Sequence, residues 1–381
     1  MNGPKEKSTM DGTQLILERF LRYIGVDSES LSEGGFAAML AQELKDLGLE
    51  VWTDDSAPRT GSQTGNLIAR LKGGQGMPLM LSAHMDTVKP GRGIKPVVEG
   101  GVVRSDGTTI LGADDKAGIA AIVEAFKVIK EGNLPHGTVE AVFSTCEEIG
   151  LRGAKHLDLG SLEARMAFVL DSGGEVGDLV VQGPAQEKME ILVHGKEAHA
   201  GVSPEKGISA IYLAAKAVSE MRLFRIDEET TANIGSIEGG GATNIIPALV
   251  RLTAEARSLD DAKLDAQVAH MKECFERAAA SMDASVEFKS ERTYSAFKAQ
   301  ADSPAVRCAK AAAFRLGFRG ISVSTGGGSD TNIYNEKGLP TVTLGIGMHK
   351  AHTMEEYIAV EDLAKARDLV LALVEEARIL G

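Results

Sequence analysis

Two histidines and three acidic residues each lie where a predicted strand, or the loop after one, comes to an end. These residues are His84, Asp114, Glu148, Asp171 and His352. Two imidazoles and three carboxylates supply enough ligands for two divalent cations. A further acid, Glu147, directly precedes one of them, where a base could activate a water molecule. This combination predicts a hydrolase with a two-metal site.

Each motif also has an ordinary structural interpretation. His84 can be oriented by the carboxylate of Asp86, or the two can be a loop histidine and a helix-capping acid. Asp114 can bridge two metals about 3.5–4 Å apart, or it can cap the helix that follows. Glu147 and Glu148 can face one site from an irregular turn, or they can be a solvated acidic pair. Their occurrence together at one sheet edge favours the metal site.

The elements that position these residues alternate between strands and helices. Apolar spacing predicts helices at residues 15–21 and 36–47 and directly after Asp114, and buried strands at residues 67–71, 79–82, 138–144 and 167–170. Such alternation is typical of a mainly parallel sheet with helices on both faces. Ligands bind such sheets at the carboxyl ends of the strands, which is where His84, Glu148 and Asp171 are expected.

A segment of different character interrupts this α/β pattern. Between residues 186 and 294 the predicted order is β-α-β-β-α-β, which is typical of a ferredoxin-like sandwich. From residue 295 the first pattern returns, with helices at 304–316 and 360–380 and a strand at 341–344. We therefore expect a catalytic domain built from residues 1–185 and 295–381, with a ferredoxin-like α+β domain inserted at 186–294.

The composition of the chain limits which binding partners and which cellular compartment are expected. The chain has 381 residues and a formal net charge of −13, which argues against nucleic acid or an anionic membrane, since both need a basic surface. No stretch is apolar enough to span a bilayer, and residues 1–11 lack the apolar core of a secretory signal. Three distant cysteines indicate a reducing compartment. We therefore expect a cytoplasmic protein.

Five motifs resemble those of one enzyme family. The runs SAHMDTV, GADDKAG, EEIGLRGA, LDSGG and HTMEE are similar to motifs of the cocatalytic zinc peptidases related to peptidase T, aminoacylase and succinyl-diaminopimelate desuccinylase. They span nearly the whole chain in order, and GADDKAGIA and EEIGLRGAK look most like the peptidase T (tripeptide aminopeptidase) branch. The resemblance implies a zinc-exopeptidase fold whose inserted domain is a lid and dimerisation domain.

The resemblance also implies metal ligands. Asp114 would bridge two zinc ions, and Co²⁺ or Mn²⁺ could replace zinc, since carboxylate-rich sites accept several divalent ions. His84 and Asp171 would complete the ligand set of one ion, and Glu148 and His352 would complete that of the other. His349 is a second candidate imidazole, but the family pattern has Thr or Ser after the ligand and Glu three residues on, which favours His352.

Further roles follow from the same resemblance. Asp86 would orient His84, and Glu147 would be the general acid and base. The peptide bond between Asp114 and Asp115 is expected to be cis.

The inserted domain contributes additional candidates by resemblance. His199 looks like the family's lid histidine, which donates to the oxyanion and in dimers often comes from the neighbouring subunit; a surface histidine is the alternative. Asn244 and Arg257 resemble the substrate region. Arg257 suits a terminal carboxylate, although a surface ion pair is the alternative. The glycine loop offers further contacts near the cleft, at Gly327, Gly328, Ser329 and Asp330.

The expected activity is hydrolysis of a peptide bond in a short peptide, with release of the N-terminal residue from tripeptides, by a homodimer. An acyl-amino-acid deacylase or a carboxypeptidase with the same metal site is the nearest alternative. A non-catalytic peptide-binding dimer is an alternative of a different class.

Overall fold

The computed structural model describes residues 12–380, so the expectation about residues 1–11 lies outside the described residues. The chain divides into two compact units. The first comprises the described residues up to Val181, Ala299–Ser324 and the chain from Ser329 onward; the second comprises Gln182–Lys298 and Thr325–Gly328. The expected division at residues 185 and 294 does not include the short return of Thr325–Gly328 to the second unit.

Helices and strands make up most of the described chain. In chain order, the helices are α1 (Gly12–Ile24), α2 (Gly34–Asp46), α3 (Ala57–Thr60), α4 (Ala113–Gly132), α5 (Arg152–His156), α6 (Ala210–Ser219), α7 (Asp261–Ala280), α8 (Pro304–Arg315), α9 (Asp330–Glu336) and α10 (Val360–Leu380). The strands are β1 (Glu50–Thr53), β2 (Leu67–Leu71), β3 (Leu79–His84), β4 (Pro96–Glu99), β5 (Val102–Ser105), β6 (Val139–Ser144), β7 (Met166–Gly173), β8 (Leu179–Gly183), β9 (Ala185–His194), β10 (Phe224–Arg225), β11 (Thr230–Gly239), β12 (Leu249–Ser258), β13 (Ser285–Tyr294), β14 (Phe297–Lys298), β15 (Ser322–Ser324), β16 (Thr341–His349) and β17 (Tyr357–Ala359).

The first unit is organised around a large sheet with the strand order β1-β2-β6-β3-β7-β16-β17-β5-β4. Its four central strands, β6, β3, β7 and β16, run parallel. Every residue of β3 and β6 is buried, as expected for parallel strands covered on both faces. The predicted mainly parallel α/β sheet is thus confirmed for its centre, and the carboxyl ends of these four strands meet at one edge.

The flanks of this sheet are antiparallel. No sequence pattern predicted β1, β4, β5 or β17, because these strands are short and lack a continuous run of apolar residues. All four residues of β4 are exposed, for example. Asp171 was expected to follow its strand, but it lies within β7, because the pairing of β7 with β16 continues to Gly173.

The second unit contains an antiparallel sheet with the order β10-β11-β12-β9-β13. Without the two-residue β10, its elements follow the chain order β9-α6-β11-β12-α7-β13, as in the expected ferredoxin-like sandwich. Its own apolar core includes Ile191, Leu213, Leu252 and Phe275. Among residues 12–380, none of the helices combines the length and the hydropathy that crossing a bilayer requires.

The start of α4 approaches β7 very closely at Gly118. A Cβ atom on this residue would lie 2.4 Å from the Asp115 Oδ1 atom and 2.5 Å from the main-chain oxygen of Leu170. Glycine therefore permits the first turn of α4 to lie directly against the strand that carries Asp171.

We predict that Gly118→Ala lowers the free energy of unfolding by about 1–3 kcal/mol, because the methyl group would overpack this contact. Gly35→Ala is the matched control in α2, where an added Cβ meets nothing within 4 Å. The control should be neutral or stabilising by about 0.5–1 kcal/mol, since alanine favours a helix over glycine. Denaturant unfolding compares the two, and equal effects would contradict the close-packing argument.

Candidate metal centre

His84 and Asp171 lie at the carboxyl edge of the central strands. His84 ends β3, and its Nε2 atom is 2.9 Å from the Asp114 Oδ1 atom and 3.7 Å from the Asp171 Oδ1 atom. Asp114 lies at the start of α4, in a backbone conformation that is not helical. The parallel strands thus bring a histidine and two acids from separate segments to one point.

His352 lies on the other side of Asp114. Its Nε2 atom is 3.0 Å from the Asp114 Oδ2 atom and 3.0 Å from the Glu148 Oε1 atom. Each oxygen of the Asp114 carboxylate therefore faces a different imidazole. A carboxylate that bridges two cations presents its oxygens in this way.

Glu148 provides a test of whether a cation fits. Its Oε1 atom is buried and accepts no hydrogen bond, although the His352 nitrogen lies only 3.0 Å away. A buried oxygen without a partner is costly, and a shared cation would satisfy both donor atoms, since zinc binds such ligands at about 2 Å. Candidate ligand atoms of His84, Asp114 and Glu148 lie within 4.8 Å of one another. The residues fit divalent cations.

The pKa shifts of the acids in the centre also favour bound cations. Burial raises the pKa of the Glu147 carboxyl well above its usual value, with His84 acting in the opposite direction. Burial, followed by the charge of Asp114, likewise raises the pKa of Asp171. For Asp114 burial also acts upward, but hydrogen bonds with His352 and His84 outweigh it and lower the pKa. The buried acids outnumber the imidazoles, so cations would relieve their repulsion.

The surrounding carboxylates favour the protonated form of the two imidazoles. The Asp114 and Glu148 carboxylates beside the ring raise the pKa of His352 to about 10. For His84, burial would lower the pKa, but the hydrogen bond with Asp114 and the charge of Asp171 raise it well above the usual value. Without metal, the two rings therefore serve as the positive partners of these carboxylates.

The helix cap at this position belongs to Asp115. Its Oδ1 atom accepts from the main-chain N–H of Gly118 at 3.2 Å, and its Oδ2 atom accepts from the main-chain N–H of His84 at 3.2 Å. The capping role considered for Asp114 is thus taken by its neighbour, which leaves Asp114 to face the imidazoles. The peptide bond between Asp114 and Asp115 is cis, as the resemblance implies.

Asp86 contacts His84 in a different way from the one expected. The His84 Nδ1 atom lies 2.8 Å from the main-chain oxygen of Asp86 and 3.7 Å from its carboxylate. The carboxylate instead accepts from the main-chain N–H groups of Glu147 (2.9 Å) and Glu148 (3.2 Å) and from the Ser30 hydroxyl (2.7 Å). Asp86 therefore orients His84 through its backbone and uses its side chain to hold the Glu147–Glu148 turn.

Ser329 and Asp330 are buried. The Ser329 hydroxyl caps α9 by accepting from the main-chain N–H of Thr331 at 3.4 Å, and it also contacts the Thr343 hydroxyl at 3.1 Å. Burial raises the pKa of Asp330. Ser329 thus caps α9, and Asp330 is the buried first residue of that helix.

In the second unit, His199 and Asn244 lie together on an exposed loop pair. His199 forms an isolated bridge with Ile245, and the main-chain N–H of Ala200 donates to the oxygen of Asn244 at 2.8 Å. The His199 Nδ1 atom accepts from the main-chain N–H groups of Gly201 (3.2 Å) and Val202 (3.1 Å). In the neutral ring the proton therefore lies on Nε2, which makes that atom a donor.

Arg257 lies next to the glycine loop of the same unit. Its guanidinium donates to both Glu255 oxygens, at 3.0 and 3.1 Å, and to the main-chain oxygen of Gly326 at 3.3 Å. Gly328 packs against the Tyr294 ring so closely that a Cβ would lie 2.2 Å from it. Arg257 therefore has a carboxylate partner in Glu255 and contacts the glycine loop at Gly326.

Comparison with known proteins identifies the family. Residues 80–376 match the model of Peptidase family M20/M25/M40. The chain belongs to this family. It is 46% identical to an aminopeptidase PepT from Bacillus cereus, with a TM-score of 0.88 over 96% of this chain and 98% of that one. It is 40% identical to a tripeptidase from Staphylococcus aureus, with a TM-score of 0.93 over 96% and 99%.

One further relative is an uncharacterised Bacillus subtilis protein, YqjE. It is 49% identical over 363 residues, which is 95% of this chain and 98% of YqjE. Each of these matches covers both units, so the expected recognition of the family, of its fold and of a metallopeptidase is confirmed for the whole chain.

Sequence analysis of this M20-family chain missed the roles of two acids. Glu356 is buried and accepts main-chain hydrogen bonds from the segment that carries Asp114. Its neighbour Glu355, the acid that the family pattern pointed to, is exposed and pairs with Lys350 at 2.5 Å. Glu33 accepts from the main-chain N–H of Cys146 at 3.0 Å. The only signal in the sequence was the pair of adjacent acids, Glu355 and Glu356, that follows His352. No pattern singled out Glu33.

The structure also separates the two candidate histidines of the last motif. The His349 ring stacks on Tyr357 with ring centroids 4.8 Å apart, whereas His352 faces Asp114 and Glu148. Only His352 has its nitrogen among the candidate ligands.

We predict that His352→Ala weakens binding of one of two Zn²⁺ ions by at least about tenfold and leaves the other bound, because a direct donor is lost. His349→Ala should bind both ions like the wild type. Calorimetric titration of the metal-free protein, with elemental analysis after dialysis, measures both. Equal losses in the two variants would contradict this assignment.

Proposed function

We propose that this chain is a two-metal exopeptidase that releases the N-terminal residue from short peptides, in particular tripeptides. The observation that carries the proposal is the convergence of His84, Asp114, Glu148, Asp171 and His352 beside the buried acid Glu147. The likeness to an aminopeptidase and to a tripeptidase supports the choice of substrate.

We assign the ligands as the family resemblance implies. Asp114 would hold both ions, His84 and Asp171 would complete the ligands of one, and Glu148 and His352 would complete the ligands of the other. Zinc suits this mixture of nitrogen and oxygen donors, and Co²⁺ or Mn²⁺ are alternatives. When bound, two such ions supply Lewis acidity, which can lower the pKa of water from 15.7 to about 7.

Side chains of the protein then transfer the protons and bind the substrate. Glu147 takes a proton from the attacking water and passes it to the leaving amine, which is ordinary general acid–base catalysis. The buried surroundings that raise its pKa suit a group that must hold this proton between the two steps. Asp86 positions Glu147 by accepting its main-chain N–H.

The second unit would supply substrate contacts. The Nε2 atom of His199 is a donor suited to the carbonyl oxygen that becomes negative during attack. Arg257 has used three of its five N–H groups, so the remaining two are the ones a peptide carboxylate would contact. Asn244, Gly327, Gly328, Ser329 and Asp330 belong to the same proposed substrate region.

Two further expectations remain proposals. A homodimer formed through the second unit follows from the family resemblance. The three cysteines are free and buried, which supports the expected cytoplasmic location. Size measurement by light scattering would test the dimer.

We predict that Glu147→Gln lowers kcat by about 10²–10⁴-fold, the usual contribution of a general acid or base, while both Zn²⁺ ions stay bound. Glu131→Gln, at an exposed position near the end of α4, is the control and should keep wild-type turnover. Steady-state kinetics on a tripeptide, with metal analysis of the same samples, provides the measurement. Near wild-type turnover by the Glu147 variant would rule out this role.

We predict that the zinc-reconstituted protein cleaves tripeptides with a free N-terminus and releases their first residue. The same peptides with an acetylated N-terminus and N-acyl amino acids should be poor substrates. Mass spectrometry of the products distinguishes the outcomes. Activity restricted to N-acyl amino acids would instead identify a deacylase, release of C-terminal residues a carboxypeptidase, and binding without cleavage a peptide-binding protein.

A further inference from the structure

Glu356 is a buried acid, with 1% of its surface exposed, and its carboxylate contacts the backbone of a distant segment. Its Oε2 atom accepts from the main-chain N–H groups of Leu111 and Gly112, both at 2.8 Å. Its Oε1 atom accepts from the main-chain N–H of Asp114 at 2.9 Å. Three short charge-assisted hydrogen bonds thus fix the backbone that presents the Asp114 carboxylate.

The same residue is hydrogen-bonded to Thr353, which ends the turn that carries His352. The main-chain N–H of Glu356 donates to the oxygen of Thr353 at 3.1 Å. The Thr353 hydroxyl in turn donates to the oxygen of Lys350 at 2.8 Å. His352 lies inside this turn with a φ of +65°, a conformation that a non-glycine residue keeps only when its surroundings hold it.

We propose that Glu356 is a positioning residue that joins the Asp114 segment to the His352 turn and thereby sets the affinity for both metal ions. This inference rests on the ligand assignment of the proposed function. The carboxylate of Glu356 accepts from main-chain N–H groups of Leu111, Gly112 and Asp114, so it acts through the backbone.

Both ions are affected because of how Asp114 is placed. One of its oxygens is 2.9 Å from the His84 imidazole, and the other is 3.0 Å from the His352 imidazole. A shift of the Asp114 backbone displaces both oxygens together. Loss of His352 itself, in contrast, removes a donor from one ion only.

A carboxylate suits this position better than an amide. Two acceptor oxygens can take all three N–H groups, whereas glutamine has one acceptor oxygen and an NH₂ group that would face a donor. Gly112 adopts a φ of +74°, and this turns successive N–H groups towards the acid, as in other anion-binding backbone segments.

The test uses Glu356→Gln, with Glu355→Gln as the matched control. The metal-free proteins are titrated with Zn²⁺ against a chromogenic chelator. We expect both dissociation constants of Glu356→Gln to rise by about 10–100-fold, the usual effect of losing a group that orients metal ligands. At saturating Zn²⁺, kcat should fall by less than the affinities, and Glu355→Gln should match the wild type.

Two outcomes would overturn the proposal. One is wild-type affinity for both ions with only a lower unfolding temperature, which means a purely structural role. The other is weakening of a single ion, which means that Glu356 acts on the His352 turn alone. If the glutamine variant does not fold, Glu356→Asp, which keeps the charge but shortens the side chain, is judged by the same criteria.

The titration needs no peptide. Weakened metal binding in a chain that cleaves no peptide would support this inference and refute the proposed function. Peptide cleavage with unchanged metal affinities would do the reverse.

Discussion

The repulsion between acids gathered at one buried point is the constraint on which the rest of this structure depends. Asp114, Glu148 and Asp171 converge with only two imidazoles between them, and Glu147 lies beside them. Burial makes such charges costly unless donors or cations compensate them. The arrangement is therefore explained by the divalent ions that these residues can share.

A further group of acids holds the backbone around this convergence. Asp86, Asp115 and Glu356 each accept main-chain N–H groups from segments that carry candidate ligands. The amides stabilise these buried carboxylates, and the carboxylates fix the loops in return. The positions of the candidate ligands thus depend on backbone hydrogen bonds as much as on the strands.

The parallel centre of the sheet explains why distant motifs meet. Strands β6, β3, β7 and β16 are neighbours, and their carboxyl ends share one edge. Glu148 follows β6, His84 ends β3, Asp171 lies near the end of β7, and His352 follows β16. The second unit has a separate core, and it carries His199 in a loop and Arg257 in β12.

Sequence by itself determined the family, the strands that form the sheet centre and the residues that converge on the candidate centre. This was possible because buried strands and helices leave strong periodic patterns, and because ligands of this kind follow strand ends. Only the tertiary structure decided which of two adjacent acids has which task. Asp115 caps α4 while Asp114 faces the imidazoles, and Glu356 is buried while Glu355 is exposed. Two adjacent residues share the same surrounding sequence, so a sequence pattern cannot assign them different tasks. Only the course of the backbone in the folded chain directs their side chains to different partners.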